Sequence, residues 1–296
     1  MNNDSIFMAI CPLFNFEISE VLVGNHTREE TTEYFNALRK RIEQGIEILN
    51  NVKIRRIKKE DIDRIREFGI SPPMAGIFSR INMRTFVIEI LLKELNIKKI
   101  LLKIYKVLLA MRLHRASDIF CKVIWFEKKS KVNTLTMLDS PIPEPHARTR
   151  SPHSMEITEF EELKKLANKI DKIDFNERNS LRIACERFSR SYEEHREDEK
   201  IIDFMIAFEA LFLKGKKVPS KIGLYIGLGC SMLLGKNDKE REEINEFLVK
   251  AYNIRNRIVH GSEFITSVQI NNETYKIQDF IFQLQKYLRE SIKKLV

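Results

Sequence analysis

The sequence predicts a mostly α protein: an all-α helical bundle in the C-terminal half, preceded by a smaller α+β N-terminal domain. Three observations predict this. With only 10 Gly and 8 Pro in 296 residues, and with Lys, Ile, Glu and Leu abundant, the composition favours helix. Apolar residues recur at three-and-four spacing through most of the second half, whereas short β-branched patches sit mainly in the first. Between them, Pro141, Pro143, Pro145 and Pro152 forbid a helix and favour an extended connector. The expected organisation is therefore an α+β domain over 1–138, a proline-rich linker over 139–155 and a helical domain over 156–296.

In chain order, the apolar runs Ile6–Ile10 and Phe14–Val23 read as strands, separated from the first helix by a turn at Asn25–Thr27. Thr27 and Glu30 form a capping-box pattern for a helix with Tyr34, Leu38, Ile42, Ile46 and Leu49 on one face. Lys53–Lys59 is the densest basic run; without interleaved aromatics for base stacking it reads as a solvated strand or loop, with an RNA-contacting patch as the second reading. Glu60–Phe68 continues as a short helix that Gly69 ends, and Ser71-Pro72-Pro73 must be extended or turned. Arg84–Leu92 reads as a strand and Ile97–Leu113 as a helix with Ile97, Ile100, Leu101, Ile104, Leu108 and Met111 inward. Ile119–Phe126 returns to β character. His146 and His153 lie in the irregular seam without thiol or carboxylate support, which argues against a metal site.

In the second half, Thr158–Ile170 and Phe175–Glu199 read as helices. Lys200–Leu213 is apolar in nearly every direction, so it should be central, and Glu209 on it should be buried. Gly223, Gly227 and Gly229 lack the spacing and the strand of a dinucleotide fingerprint and suit close helix packing. Lys214–Lys217 likewise lacks phosphate-loop spacing. A long helix begins at the Asn237-Asp238 cap and carries Ile244, Phe247, Leu248, Ala251, Tyr252, Ile254, Ile258 and Val259 on its apolar stripe, with Gly261 as its stop. Ser262–Thr274 is irregular or β-like, and Ile277–Val296 closes the chain as an amphipathic helix.

The net charge of +9 is unevenly placed: residues 1–150 hold 26 Lys+Arg against 18 Asp+Glu, and residues 151–296 hold 25 against 24. A basic half suits a polyanion such as RNA, although a lysine-rich composition colours any surface this way. Cys11, Cys121, Cys185 and Cys230 show no Cys-x-x-Cys pair, which argues against zinc and against a disulfide framework. The first residues lack a secretory pattern, and the apolar stretch Ile222–Leu234 is too short to span a bilayer. A cytoplasmic protein without membrane attachment or cofactor is expected.

Chemistry concentrates at the end of the long helix. At about 100° per residue, Arg255 falls inside the buried stripe and so needs a partner, for which Glu209 is the natural candidate. Asn256 and His260, four residues apart, share another face; His260 stands in the last turn, where the helix dipole favours a cation and an imidazole is suited to proton transfer. Arg255-Asn256-x-x-x-His260-Gly261 resembles the Arg-x4-x6-His motif of the HEPN superfamily (higher eukaryotes and prokaryotes nucleotide-binding). The preceding Ile201–Phe212 segment is similar to the acidic, apolar helix of its Apea-like branch. The resemblance covers residues 156–296.

It implies a helical bundle acting as a metal-independent endoribonuclease, homodimeric through the HEPN domain, in a defence, stress or toxin–antitoxin setting with an antitoxin or defence-system partner. His260 would move a proton, Arg255 would stabilise phosphate charge, and Asn256 would bind substrate or orient the imidazole. Glu209 would position Arg255, with Arg257 as the alternative phosphate contact should Glu209 engage Arg255 fully. The alternative is a non-catalytic HEPN module that binds nucleotide or RNA or assembles a complex. Ser262 stands where the Tyr-containing HEPN variant carries tyrosine, so that variant is not implied.

Overall fold

A computed structural model describes residues 7–19, 28–69, 80–116, 119–128, 131–137, 153–194, 196–215, 220–261, 265–270 and 273–296. The chain divides into two units, Met1–Lys172 and Ile173–Val296. The sequence reading put this seam in the linker at 139–155. Residues 138–152 lie outside the described residues, while His153–Glu156 (β8) pairs in parallel with Phe16–Ser19 (β2). The boundary moves past the prolines because the helix Phe160–Asp171 (α4) packs on elements of the N-terminal unit and stays with it.

In that unit, Phe7–Leu13 (β1), Ile46–Leu49 (β3), Val52–Arg56 (β4), Phe86–Leu92 (β5), Val123–Lys128 (β6) and Lys131–Met137 (β7) form one sheet in the order β3-β4-β5-β1-β6-β7. Every neighbouring pair is antiparallel. Pro12 is tolerated in the central β1 because pairing with β6 runs only over Phe7–Ile10, so its missing N–H leaves no gap in that ladder. Alternation puts Ile10, Val87 and Trp125 on one face, where Ile57, which follows β4, and Ile65 of the helix Lys59–Phe68 (α2) complete an apolar cluster.

The helix Arg28–Gln44 (α1) is shorter than its apolar pattern predicts. Gly45 at φ +88° ends it, and Ile46 and Leu49 pass into β3 instead of extending the helical stripe. Thr27 lies outside the described residues, as do Ser71–Pro73 and His146. In Ile97–His114 (α3) the buried face holds Ile100, Ile104, Val107, Ala110 and Met111, while Ile97 and Leu101, expected inward, are exposed.

The basic run from Lys53 is not a solvated segment. Arg55 is 1% exposed; its Nη1 donates to Asp61 Oδ2 at 2.6 Å and its Nε to Glu89, whose other oxygen meets Lys53 Nζ at 2.8 Å. Arg64 extends the chain of charges, donating to Asp61 Oδ1 at 2.6 Å and to Glu127 Oε1 at 3.1 Å, which also accepts from Trp125 Nε1. Burial alone would raise the Glu89 carboxyl, yet Lys53 and Arg55 hold it below its ordinary range. The network ties α2 to β4, β5 and β6 with charges that would each be costly alone.

The C-terminal unit is built around Glu197–Phe212 (α6), which contacts Asn179–Arg190 (α5), Ile222–Leu234 (α7), Asp238–Val259 (α8) and Ile277–Leu295 (α9). The predicted helix 175–199 is broken: α5 stops at Arg190 and α6 begins at Glu197. Phe204 and Phe208 are fully buried, each contributing about 1.5–3 kcal/mol. Asp203, also buried, is held by Arg187 Nη1 at 2.8 Å across the α5–α6 contact. The glycines of α7 permit close approach, since a Cβ at Gly227 would lie 2.9 Å from the Asn245 carbonyl of α8. Phe247 of α8 stacks on Phe280 of α9 at 4.8 Å. The hairpin Ser267–Ile270 (β9) and Glu273–Lys276 (β10) joins α8 to α9. All four cysteines are buried and unpaired, and burial pushes Cys185 and Cys230 up to about 12.

Candidate functional site

The C-terminal end of α8 carries the side chains that the sequence singled out. Asn237 starts the helix by accepting from the Glu240 N–H at 2.9 Å. The apolar stripe Ile244, Phe247, Leu248, Ala251 and Ile254 then fixes its rotation. That rotation sets Tyr252 beside Arg255 and Asn256, and Asn256 beside His260, because residues three and four apart align, whereas Arg255 and His260, five apart, point about 140° from one another. His260 caps the helix at φ −88°, its N–H donating to Asn256 O at 3.0 Å, and Gly261 at φ +78° turns the chain away.

Arg255 and Glu209 do meet, across α8 and α6, with Nη2 3.7 Å from Oε1. The contact is looser and wetter than two buried charges would give, the side chains being 23% and 29% exposed. Burial pushes the Glu209 carboxyl above its ordinary range, and the Arg255 charge opposes that rise. At this distance Glu209 supplies charge without a hydrogen bond, so it does not consume the guanidinium's donors. Arg255 Nη1 donates to Asn256 Oδ1 at 3.2 Å, its Nε has no hydrogen-bond partner, and its Cζ lies 5.9 Å from the centre of the Tyr252 ring. Most of the five-donor fork is therefore unspent.

No known protein family, curated protein or solved structure matches this chain.

Asn256, expected to face with His260, accepts a hydrogen bond from Arg255 through its side-chain oxygen. His260 and Arg257 are both exposed. The arrangement places a solvent-facing imidazole five residues, about one and a half helical turns, beyond a partly exposed guanidinium that has a carboxylate beside it. Such a set can move one proton and hold one anionic group. Among the described residues no group of three His, Cys, Asp or Glu could hold a metal ion, and no helix is long and apolar enough to cross a membrane.

Sequence reasoning passed over Tyr252 as a site residue. The available signal was its position three residues before Arg255, which puts an aromatic ring beside the guanidinium on any regular helix.

Proposed function

We propose that this chain is a metal-independent endoribonuclease of the HEPN type, working as a homodimer on RNA in a defence, stress or toxin–antitoxin setting. The observation that carries the reading is the end of α8, where an exposed His260 follows five residues after a partly exposed Arg255 that keeps unspent donors. RNA brings its own nucleophile: the 2′-hydroxyl attacks the adjacent phosphorus, a P–O bond forms, and the bond to the 5′-oxygen breaks. His260 makes one of the two proton transfers, taking the proton of the 2′-hydroxyl or supplying one to the departing 5′-oxygen, and solvent water makes the other, while Arg255 stabilises the equatorial oxygens. Glu209 holds the guanidinium from behind at a distance that leaves it able to bind phosphate. Arg257 is a further cation for the RNA backbone. The stripe Leu224, Tyr225, Leu228 and Met232, exposed along α7, supports pairing of two copies through the helical unit.

The test is incubation of the purified chain with RNA in EDTA. Cleavage is expected, with His260→Ala lowering the rate by about 10²-fold or more. Scission that survives His260→Ala would sink the assignment. The engagement of Asn256 by Arg255, rather than by the imidazole, favours a second reading as a non-catalytic nucleotide- or RNA-binding module. Under it, RNA binds without scission and His260→Ala leaves affinity unchanged.

A further inference from the structure

We infer that Tyr252 is the positioning residue for Arg255, and that Gly223 of α7 is the residue whose missing side chain lets Tyr252 do this. The inference rests on the reading of Arg255 as a phosphate-binding group, and it extends that site to a second helix.

The Arg255 fork is weakly restrained by polar atoms. Its one hydrogen bond to a side chain goes to the neighbouring Asn256 at 3.2 Å, and its ion pair with Glu209 spans 3.7 Å. Neither fixes the plane of a guanidinium: a single bond leaves rotation about its own axis, and a charge at that distance is nearly non-directional. The Tyr252 ring, with its centre 5.9 Å from Cζ, supplies what they lack, because the π face attracts the cation from one side.

The ring is itself held. A Cβ built at Gly223 would stand 3.0 Å from Tyr252 Cβ, 3.1 Å from Cδ1 and 3.2 Å from Cγ. The backbone of α7 is thus the surface against which the tyrosine rests, at a distance that leaves too little room for a side chain at 223 unless the tyrosine gives way. Three of those contacts fall on the root of the tyrosine side chain and its ring, not on a flexible tip. An alanine at 223 would press on the ring, which must give by a few tenths of an ångström, and the guanidinium beside it would shift with it.

The experiment uses the full chain and three variants, Tyr252→Leu, Tyr252→Phe and Gly223→Ala. The first readout is the Arg255 Nε–Hε resonance, assigned by its loss in Arg255→Lys. It is expected at high field from the ring current in wild type and Tyr252→Phe, displaced to the ordinary arginine position in Tyr252→Leu, and intermediate in Gly223→Ala. The second readout is RNA cleavage, with kcat falling about ten- to a hundredfold in Tyr252→Leu, KM little changed, and Tyr252→Phe restoring the rate. A resonance that does not move in folded Tyr252→Leu overturns the inference. Failure of the wild type to cleave RNA overturns the nuclease reading alone, since the resonance still decides whether Tyr252 positions Arg255. Loss of cleavage in Tyr252→Phe equal to that in Tyr252→Leu also overturns it, because a ring without its hydroxyl should suffice.

Discussion

Two glutamates in this chain have pKa values moved in opposite directions, and each direction fixes a pH dependence. Glu89 is held low by Lys53 and Arg55 against the penalty of burial, so it adds stability above the ordinary glutamate range that is lost as pH falls through its depressed value. Glu209 is pushed up by burial, so ionising it costs the fold as pH rises from the ordinary range, 4.5, through the raised value. Glu209→Gln should therefore flatten the stability profile of the C-terminal unit over that window and gain relative to wild type above it, measurable by thermal melts at stepped pH. Arg55→Met should cost about 3–5 kcal/mol in denaturant unfolding, since it takes from the buried Asp61 and Glu89 the one buried cation they share and leaves each with a partly exposed one, Arg64 and Lys53. A melt unchanged by that substitution would contradict the network. The sequence showed Arg55 only as one member of a basic run. What buried it was Asp61, six residues on, and Glu89, thirty-four residues on, and no local pattern reports a partner at that separation.

Among the elements, periodicity located most helices and strands, and the corrections have local physical causes. The stripe through Ile42, Ile46 and Leu49 is helical by spacing, but Gly45 takes a positive φ and the last residues satisfy a strand just as well. The α3 stripe was read with Ile97 and Leu101 inward, whereas that helix buries a wide face centred on Val107 and Ala110. An apolar residue can face solvent, so an abundance of them blurs the rotation of a helix. The α7–α8 pair was legible in its glycines, which read as packing residues. Gly227→Ala adds a methyl 2.3 Å from Asn245 Oδ1 and 2.9 Å from its backbone oxygen, so the helices must part. It is expected to destabilise the unit by about 1–3 kcal/mol despite the better helix propensity of alanine, as read by chemical denaturation.

At the scale of the whole molecule, the two units are assembled by different rules. The N-terminal unit joins strands far apart in sequence, β1 lying between β5 and β6, while the C-terminal unit pairs helices that mostly follow one another. If two copies meet through α7, Leu228→Glu with Met232→Glu should give a monomer in sedimentation velocity and abolish RNA cleavage while leaving the melt intact. A dimer that persists would place the contact elsewhere. The placing of Asn256 and His260 on one face of α8, with Arg255 turned towards the apolar stripe, was written in the sequence by itself, because helical geometry converts spacing into direction. So were the mostly helical second half and the contact between Glu209 and Arg255, since a carboxylate and a guanidinium on apolar helices have few other means of neutralisation. Only the tertiary structure decided how loosely that pair is held, that Tyr252 rests against Gly223 of α7, and that α4 belongs to the first unit. These depend on how closely separate elements approach, and the approach is set by side chains far apart in the chain.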